Sequence, residues 1–162
     1  MTFCTLLHSL KSPQNVGMII RSHAAHAGHE VIFTGQALPW QFKKGTEAFS
    51  RKLEKQTSIQ HIPDPDKAIE YLRRNGFSIV ALEISEQSQS LNKFTFPEKT
   101  ALVVGNEATG LPTSFIKKTD HTVTIPQYAA IGSLNVAVSA SIAMYELMKG
   151  KEANPIIADE YV

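Results

Sequence analysis

Cysteine is almost absent from this chain of 162 residues: Cys4 is the only one. No internal disulfide can form, which fits a reducing compartment better than an oxidising one. An excess of charge is lacking too, with 16 Lys and Arg against 15 Asp and Glu. A nearly neutral molecule projects no broad field, so a nucleic acid would have to be held by a local patch. No apolar run approaches the roughly 20 residues of a membrane span. The N-terminus has no basic-then-apolar signal layout, and repeats, low-complexity tracts and linkers are missing. These absences leave a soluble protein, expected in the cytoplasm, long enough to bury a core without staples. The expected extent is a domain over residues 1–150 with a C-terminal tail over 151–162.

What is present reads as alternating strands and helices. Strands are expected over Phe3–His8, Glu30–Phe33, Ile59–Ile62, Phe77–Ile84, Thr100–Val104 and Thr122–Ile125. Ser12-Pro13 is a helix-start signal, predicting a helix over Gln14–Ala27. Asp64-Pro65 caps an amphipathic helix that turns Ala68, Ile69 and Leu72 inward and ends at Gly76. The alternation implies an α/β fold: a mostly parallel twisted sheet flanked by helices. A last helix is expected from Ser133 as its N-cap. From Ser133 to Tyr145 it has no charged residue; Leu134, Val138, Ile142 and Tyr145 share a face, and Ala137, Ala140, Ser141 and Ala143 fill the remainder. A helix without a polar stripe should be buried on most sides.

Several stretches invite a chemical reading. His23, His26 and His29 suggest a metal, but their spacing is not the i, i+4 separation of two ligands on one helix face, and no carboxylate lies between them. No metal is expected. Between Gly35 and Ser58, Lys43, Lys44, Arg51, Lys52 and Lys55 are interleaved with Trp40, Phe42 and Phe49. That pattern suits RNA, with phosphate contact from the cations and stacking from the rings. It equally suits a solvated helix with its aromatics in the core, and Glu47 and Glu54 dilute the charge. The strand Thr100–Val104 runs straight into Gly105-Asn106-Glu107-Ala108-Thr109-Gly110-Leu111-Pro112. In open α/β sheets ligands bind outside the carboxyl ends of strands, where this turn belongs. It is neither a P-loop nor G-x-G-x-x-G. Alone, it could be a tight turn with an exposed Glu.

Taken in order, Pro13-x-Asn15-Val16-Gly17-x-x-x-Arg21, Val104-Gly105-Asn106-Glu107-x-x-Gly110-Leu111 and Ile125-Pro126-(x)6-Ser133-Leu134-Asn135-Val136 closely resemble three motifs of one family. They are those of the SpoU (TrmH-like) branch of the SPOUT RNA methyltransferases. The resemblance spans Phe3 to Met148 and departs at Ala108, where the family usually has glycine. No RNA-binding extension of the kind many members carry is visible, so a minimal form is expected. The resemblance implies a sheet whose C-terminal segment forms a deep trefoil knot, a rare exception to ordinary topology. It implies a homodimer with the site at its interface. It implies S-adenosylmethionine held by Val104, Gly105, Asn106, Gly110, Ile125, Ser133 and Leu134, and methyl transfer to a ribose 2′-hydroxyl of tRNA or rRNA. Asn15, Arg21, Glu107, Ser133 and Asn135 match its catalytic positions. Residue chemistry suggests Arg21 as a phosphate grip, Glu107 as the group orienting it, and Ser133 and Asn135 as placing the ribose and the loop. Two alternatives stand beside this reading: methylation of a tRNA base nitrogen, and a catalytically silent RNA-binding subunit.

Overall fold

In the computed structural model, residues 1–35, 57–129 and 132–151 are described. The basic and aromatic stretch containing Lys43, Lys44, Arg51 and Lys52, and the tail from residue 152, lie outside the described residues. The elements in chain order are β1 (Thr2–His8), α1 (Pro13–Ala25), β2 (Glu30–Thr34), β3 (Ser58–His61), α2 (Pro65–Arg74), β4 (Ser78–Leu82), β5 (Gln89–Ser90), β6 (Lys99–Val104), α3 (Thr113–Ile116), β7 (His121–Thr124) and α4 (Val136–Met148). The strands form one sheet in the order β3-β2-β1-β6-β4-β7-β5, and every pairing is parallel. The expected α/β class is the observed one.

A parallel sheet must be covered on both faces, which is why its strands read as continuous apolar runs. Alternate side chains of β1 part to opposite faces. Phe3 and Leu7 join a core with Val16, Ile19 and Ile20 of α1 and Ala137, Ala140, Ala143, Met144 and Leu147 of α4. Cys4 and Leu6 join a second core with Ala68, Ile69 and Leu72 of α2 and Phe115 of α3. Thus α1 and α4 lie on one face of the sheet, α2 and α3 on the other. The predicted starts hold: Ser12 Oγ accepts from the Asn15 N–H and Asp64 from the Asp66 and Lys67 N–H groups, each with proline next.

The last helix differs from expectation in two ways. It starts at Val136, and its cap is Asn135, whose Oδ1 accepts from the N–H groups of Ala137 (2.9 Å) and Val138 (3.2 Å). An amide oxygen serves as well as a hydroxyl there, so Ser133 and Leu134 remain in the loop. Nor is the helix buried all round. Its alanines face the sheet, and α1 packs alongside, with Ser22 Oγ and Ser141 Oγ 2.7 Å apart. Val138, Ile142 and Leu134 are between 37% and 42% exposed and Tyr145 is 63% exposed. The alanines let the helix settle close to the sheet with Met144 and Leu147 beside them in the core, and Val138, Ile142 and Tyr145 are left outside. The two-residue β5, too short for a sequence pattern, pairs with β7 and makes that last strand an interior one. The implied knot concerns the thread through residues 125–148, of which 130 and 131 lie outside the described residues.

The three histidines go separate ways. His23 is fully buried, its Nδ1 2.8 Å from Thr5 Oγ1 and its ring edge-on to Phe3. His26 Nδ1 lies against the Ser22 carbonyl, and His29 stacks on Phe77. Among the described residues no group of three potential ligands could hold a metal. Burial pushes His23 down from 6.5 to about 4. With the folded value depressed, the unfolded chain binds the proton first, so stability present above about pH 6.5 is lost as the pH falls towards about 4. The melting temperature should therefore drop across that window. His23→Gln, less stable at pH 7, should drop less, and equal slopes in the two proteins would refute this assignment.

Candidate active site

Three loops at the carboxyl ends of the strands are tied together by side chains. After β6, Asn106 and Gly110 pair across a tight turn through Asn106 N–H to Gly110 O (3.2 Å) and Gly110 N–H to Asn106 O (2.9 Å). Gly110 has a φ of +65°, and a Cβ on Gly105 would lie 2.4 Å from the Gly110 carbonyl carbon. Only glycine fits either place. Asn106 braces the turn from within, its Oδ1 accepting from Ala108 N–H (2.9 Å) and Thr109 N–H (3.2 Å). Its Nδ2 donates to the Ser9 carbonyl at the end of β1 (2.8 Å). Ala108, the departure from the family pattern, is exposed and absent from the positive-φ residues, so its methyl costs no backbone strain.

Glu107 carries the connection onward. Its carboxylate accepts from the backbone N–H of Ser12 (2.9 Å) and of Lys11 (3.0 Å), and from Asn15 Nδ2 (3.3 Å). Asn15 Oδ1 then accepts from Asn135 Nδ2 (3.1 Å), while Asn135 Oδ1 caps α4. One path of hydrogen bonds thus joins the three sequence motifs. Partial burial works to raise the Glu107 carboxyl, but the Ser12 and Lys11 N–H groups and the Asn15 amide outweigh it and leave it below the usual carboxylate value.

The hydrogen bonds of Glu107 hold the entry to α1, and Arg21 is six residues beyond Asn15, about 9 Å along the helix axis. Arg21 is exposed on the same helix face as Met18, three residues earlier. Glu107 thus fixes the start of the helix that carries Arg21.

Val104, Gly105, Asn106, Gly110, Ile125, Ser133 and Leu134 all line one cavity of about 300 Å³, and Glu107 lies on its wall. Asn15 and Asn135 stand at its edge through their bonds to Glu107 and to each other. The sequence reading missed Glu83, Gln127 and Ser139, which also line it. A polar residue at the end of the apolar strand IVAL was the available signal for Glu83. The wall combines apolar side chains (Leu82, Val104, Ile125, Leu134, Val136) with backbone made accessible by glycine. That lining suits a planar heterocycle with hydrogen-bonding edges, and the volume is at the lower end of the roughly 300–1,000 Å³ usual for small-molecule sites.

The cavity thus lies at the carboxyl ends of the strands, where open α/β sheets bind their ligands. The model of the SpoU rRNA Methylase family matches residues 2–145. The chain belongs to that family. Among curated relatives it is 30% identical over 142 residues to the 23S rRNA (uridine(2479)-2′-O)-methyltransferase of Streptomyces viridochromogenes, covering 85% of this chain and 49% of the relative. It is 29% identical over 124 residues to the tRNA (guanosine(18)-2′-O)-methyltransferase of Aquifex aeolicus, covering 74% of this chain and 59% of that protein. The chain thus spans about half to three-fifths of these relatives. Among solved structures, the SpoU methyltransferase AviRb from Streptomyces viridochromogenes in complex with AdoMet superposes with a TM-score of 0.76 at 28% identity, covering 89% of this chain and 56% of AviRb.

Replacing Glu107 with Gln, which keeps the shape and removes the charge, should weaken the bonds to Lys11 and Ser12 and cost about 1–2 kcal/mol. The wild type should lose part of its stability as the pH falls below the ordinary carboxylate range, because the folded value is depressed. Chemical denaturation at pH 7 and pH 3.5 checks both: the Gln variant should be weaker at pH 7 and closer to wild type at pH 3.5.

Proposed function

We propose that this protein transfers a methyl group from S-adenosylmethionine to the 2′-hydroxyl of a ribose in tRNA or rRNA, working as a homodimer in the cytoplasm. The observation that carries the reading is the convergence of the three family motifs on one cavity through the path Glu107–Asn15–Asn135. S-adenosylmethionine, when bound, supplies a methyl already activated on a sulfonium. The protein's task is to align the hydroxyl oxygen with that methyl and to remove the hydroxyl proton. Val104, Gly105, Asn106, Gly110, Ile125, Ser133 and Leu134 hold the cofactor, with Ser133 and Asn135 placing the ribose beside it. Arginine stays protonated, so Arg21 is no base by itself. Its guanidinium grips the phosphate of the target nucleotide, and the proton leaves towards that phosphate oxygen. Lys43, Lys44, Arg51 and Lys52 lend further cations to the RNA backbone.

The homodimer is supported by the outer face of α4. Val138, Ile142 and Tyr145 recur at helical spacing and form an exposed apolar stripe, with Leu134 exposed in the loop before the helix, and soluble monomers rarely leave such a patch in water. A partner covering it would also lie close to the loop of Ser133 and Asn135. Ala140 and Ala143, by contrast, are buried against the sheet and report folding when charged.

Arg21→Lys keeps the charge and loses the planar fork. Methyl transfer to bulk tRNA or rRNA should fall by about a hundredfold or more while S-adenosylmethionine affinity by calorimetry stays within about twofold. Retained turnover in the Lys variant would rule out Arg21 as the phosphate grip. For assembly, Val138→Glu combined with Ile142→Glu should turn a dimer into a folded monomer in sedimentation and abolish transfer. A folded monomer with normal turnover would separate assembly from catalysis.

A further inference from the structure

Glu83 lies immediately after β4, and its own N–H still bonds to the Val123 carbonyl of β7 at 3.0 Å. Its carboxylate turns towards the glycine turn after β6. Oε2 accepts from the Leu111 N–H at 2.7 Å, and Oε1 accepts from the Ile84 N–H at 3.0 Å. A Cβ on Gly110 would meet Oε2 at 2.4 Å, so the carboxylate rests directly on the Gly110 backbone. Asn106 braces that turn at its opening end; Glu83 fastens its closing end to the neighbouring strand. Among the described residues lining the cavity, Glu83 and Glu107 are the charged ones, and none is basic. Glu107 is engaged with the entry to α1, which leaves Glu83 as the charge on the β4 side of the wall.

We infer that Glu83 is a positioning residue of this cavity, anchoring the Gly105–Leu111 turn through the Leu111 N–H and setting a negative charge that favours the cationic methyl donor over its neutral by-product. The inference rests on the cofactor reading above. Methyl transfer converts a sulfonium into a thioether, so S-adenosylmethionine carries one more positive charge than S-adenosylhomocysteine. A carboxylate in a wall whose described residues include no cation stabilises the first more than the second. It thereby helps the spent cofactor to leave, without touching the reacting atoms.

Two variants separate anchor from charge. Glu83→Gln keeps an oxygen that can accept from Leu111 and removes the charge; Glu83→Ala removes both. Calorimetric titrations of each folded protein with S-adenosylmethionine and with S-adenosylhomocysteine read the charge. The preference for the methyl donor, taken as the ratio of the two dissociation constants, should fall by about threefold to tenfold in the Gln variant. Hydrogen exchange of the Leu111 amide reads the anchor without any ligand: protection should persist in the Gln variant and be lost in the Ala variant, which should also bind both ligands more weakly. An unchanged preference in the Gln variant overturns the role of the charge. Unchanged Leu111 protection in the Ala variant overturns the anchor. A wild-type protein that binds neither ligand overturns the cofactor reading and the charge preference together, while exchange at Leu111 still decides the anchor.

Discussion

The site depends on one carboxylate being held by backbone. Glu107 leaves the turn after β6 and accepts from two consecutive N–H groups at the entry to α1. Those donors have no partner within the helix, so an acceptor from elsewhere in the chain satisfies them, and a negative charge at a helix N-terminus is favoured as well. Without that contact, β1 and β6 would still pair and α1 would still pack on the sheet, but the entry to the helix bearing Asn15 and Arg21 would lose its direct tie to Glu107 of the glycine turn. Because Asn15 passes the contact to Asn135, the start of α4 is set by the same group. A misplacement of about 1 Å at such a junction is enough to matter for group transfer.

Much of this was legible in the chain, and the reasons are physical. Parallel strands buried on both faces must be apolar throughout, so TALVV and its like announce themselves. Ser12-Pro13 and Asp64-Pro65 combine a side-chain acceptor with a residue that needs no donor, and both open helices as expected. The residues of the second and third motifs that line the cavity do so because their loops follow strand ends, where α/β topology gathers loops. Distribution of contacts was not legible. Ser133 and Asn135 are equally good caps by type, and only the bonds to Ala137 and Val138 show that Asn135 does it. That Glu107 holds the entry to α1 was not legible either, because sequence spacing says nothing about which backbone donors a side chain reaches. Glu83, isolated in its strand end, carried no motif at all.

The last helix holds two apolar faces that composition could not tell apart. Its alanines are buried together with Met144 and Leu147, while Val138, Ile142 and Tyr145 stand exposed. The small face lets α4 lie close to the sheet and against α1, where Ser22 and Ser141 meet. The large face is turned outward, and its bulk is available to another surface. Position around the helix, which composition does not record, separates the side that builds the domain from the side that presents it.

The position of β7 has a consequence for how the chain reaches its final form. It is the last strand in sequence among the described residues, yet it lies between β4 and β5. During synthesis those earlier strands wait with unpaired edges, and β1 likewise waits for Lys99 onward before its second neighbour exists. Closing such long-range parallel pairs gives up chain entropy before contacts repay it, which slows folding and prolongs the life of open edges. A partly made chain is therefore an aggregation hazard that the finished one is not. Until that four-residue strand is inserted, β4 lacks its second neighbour.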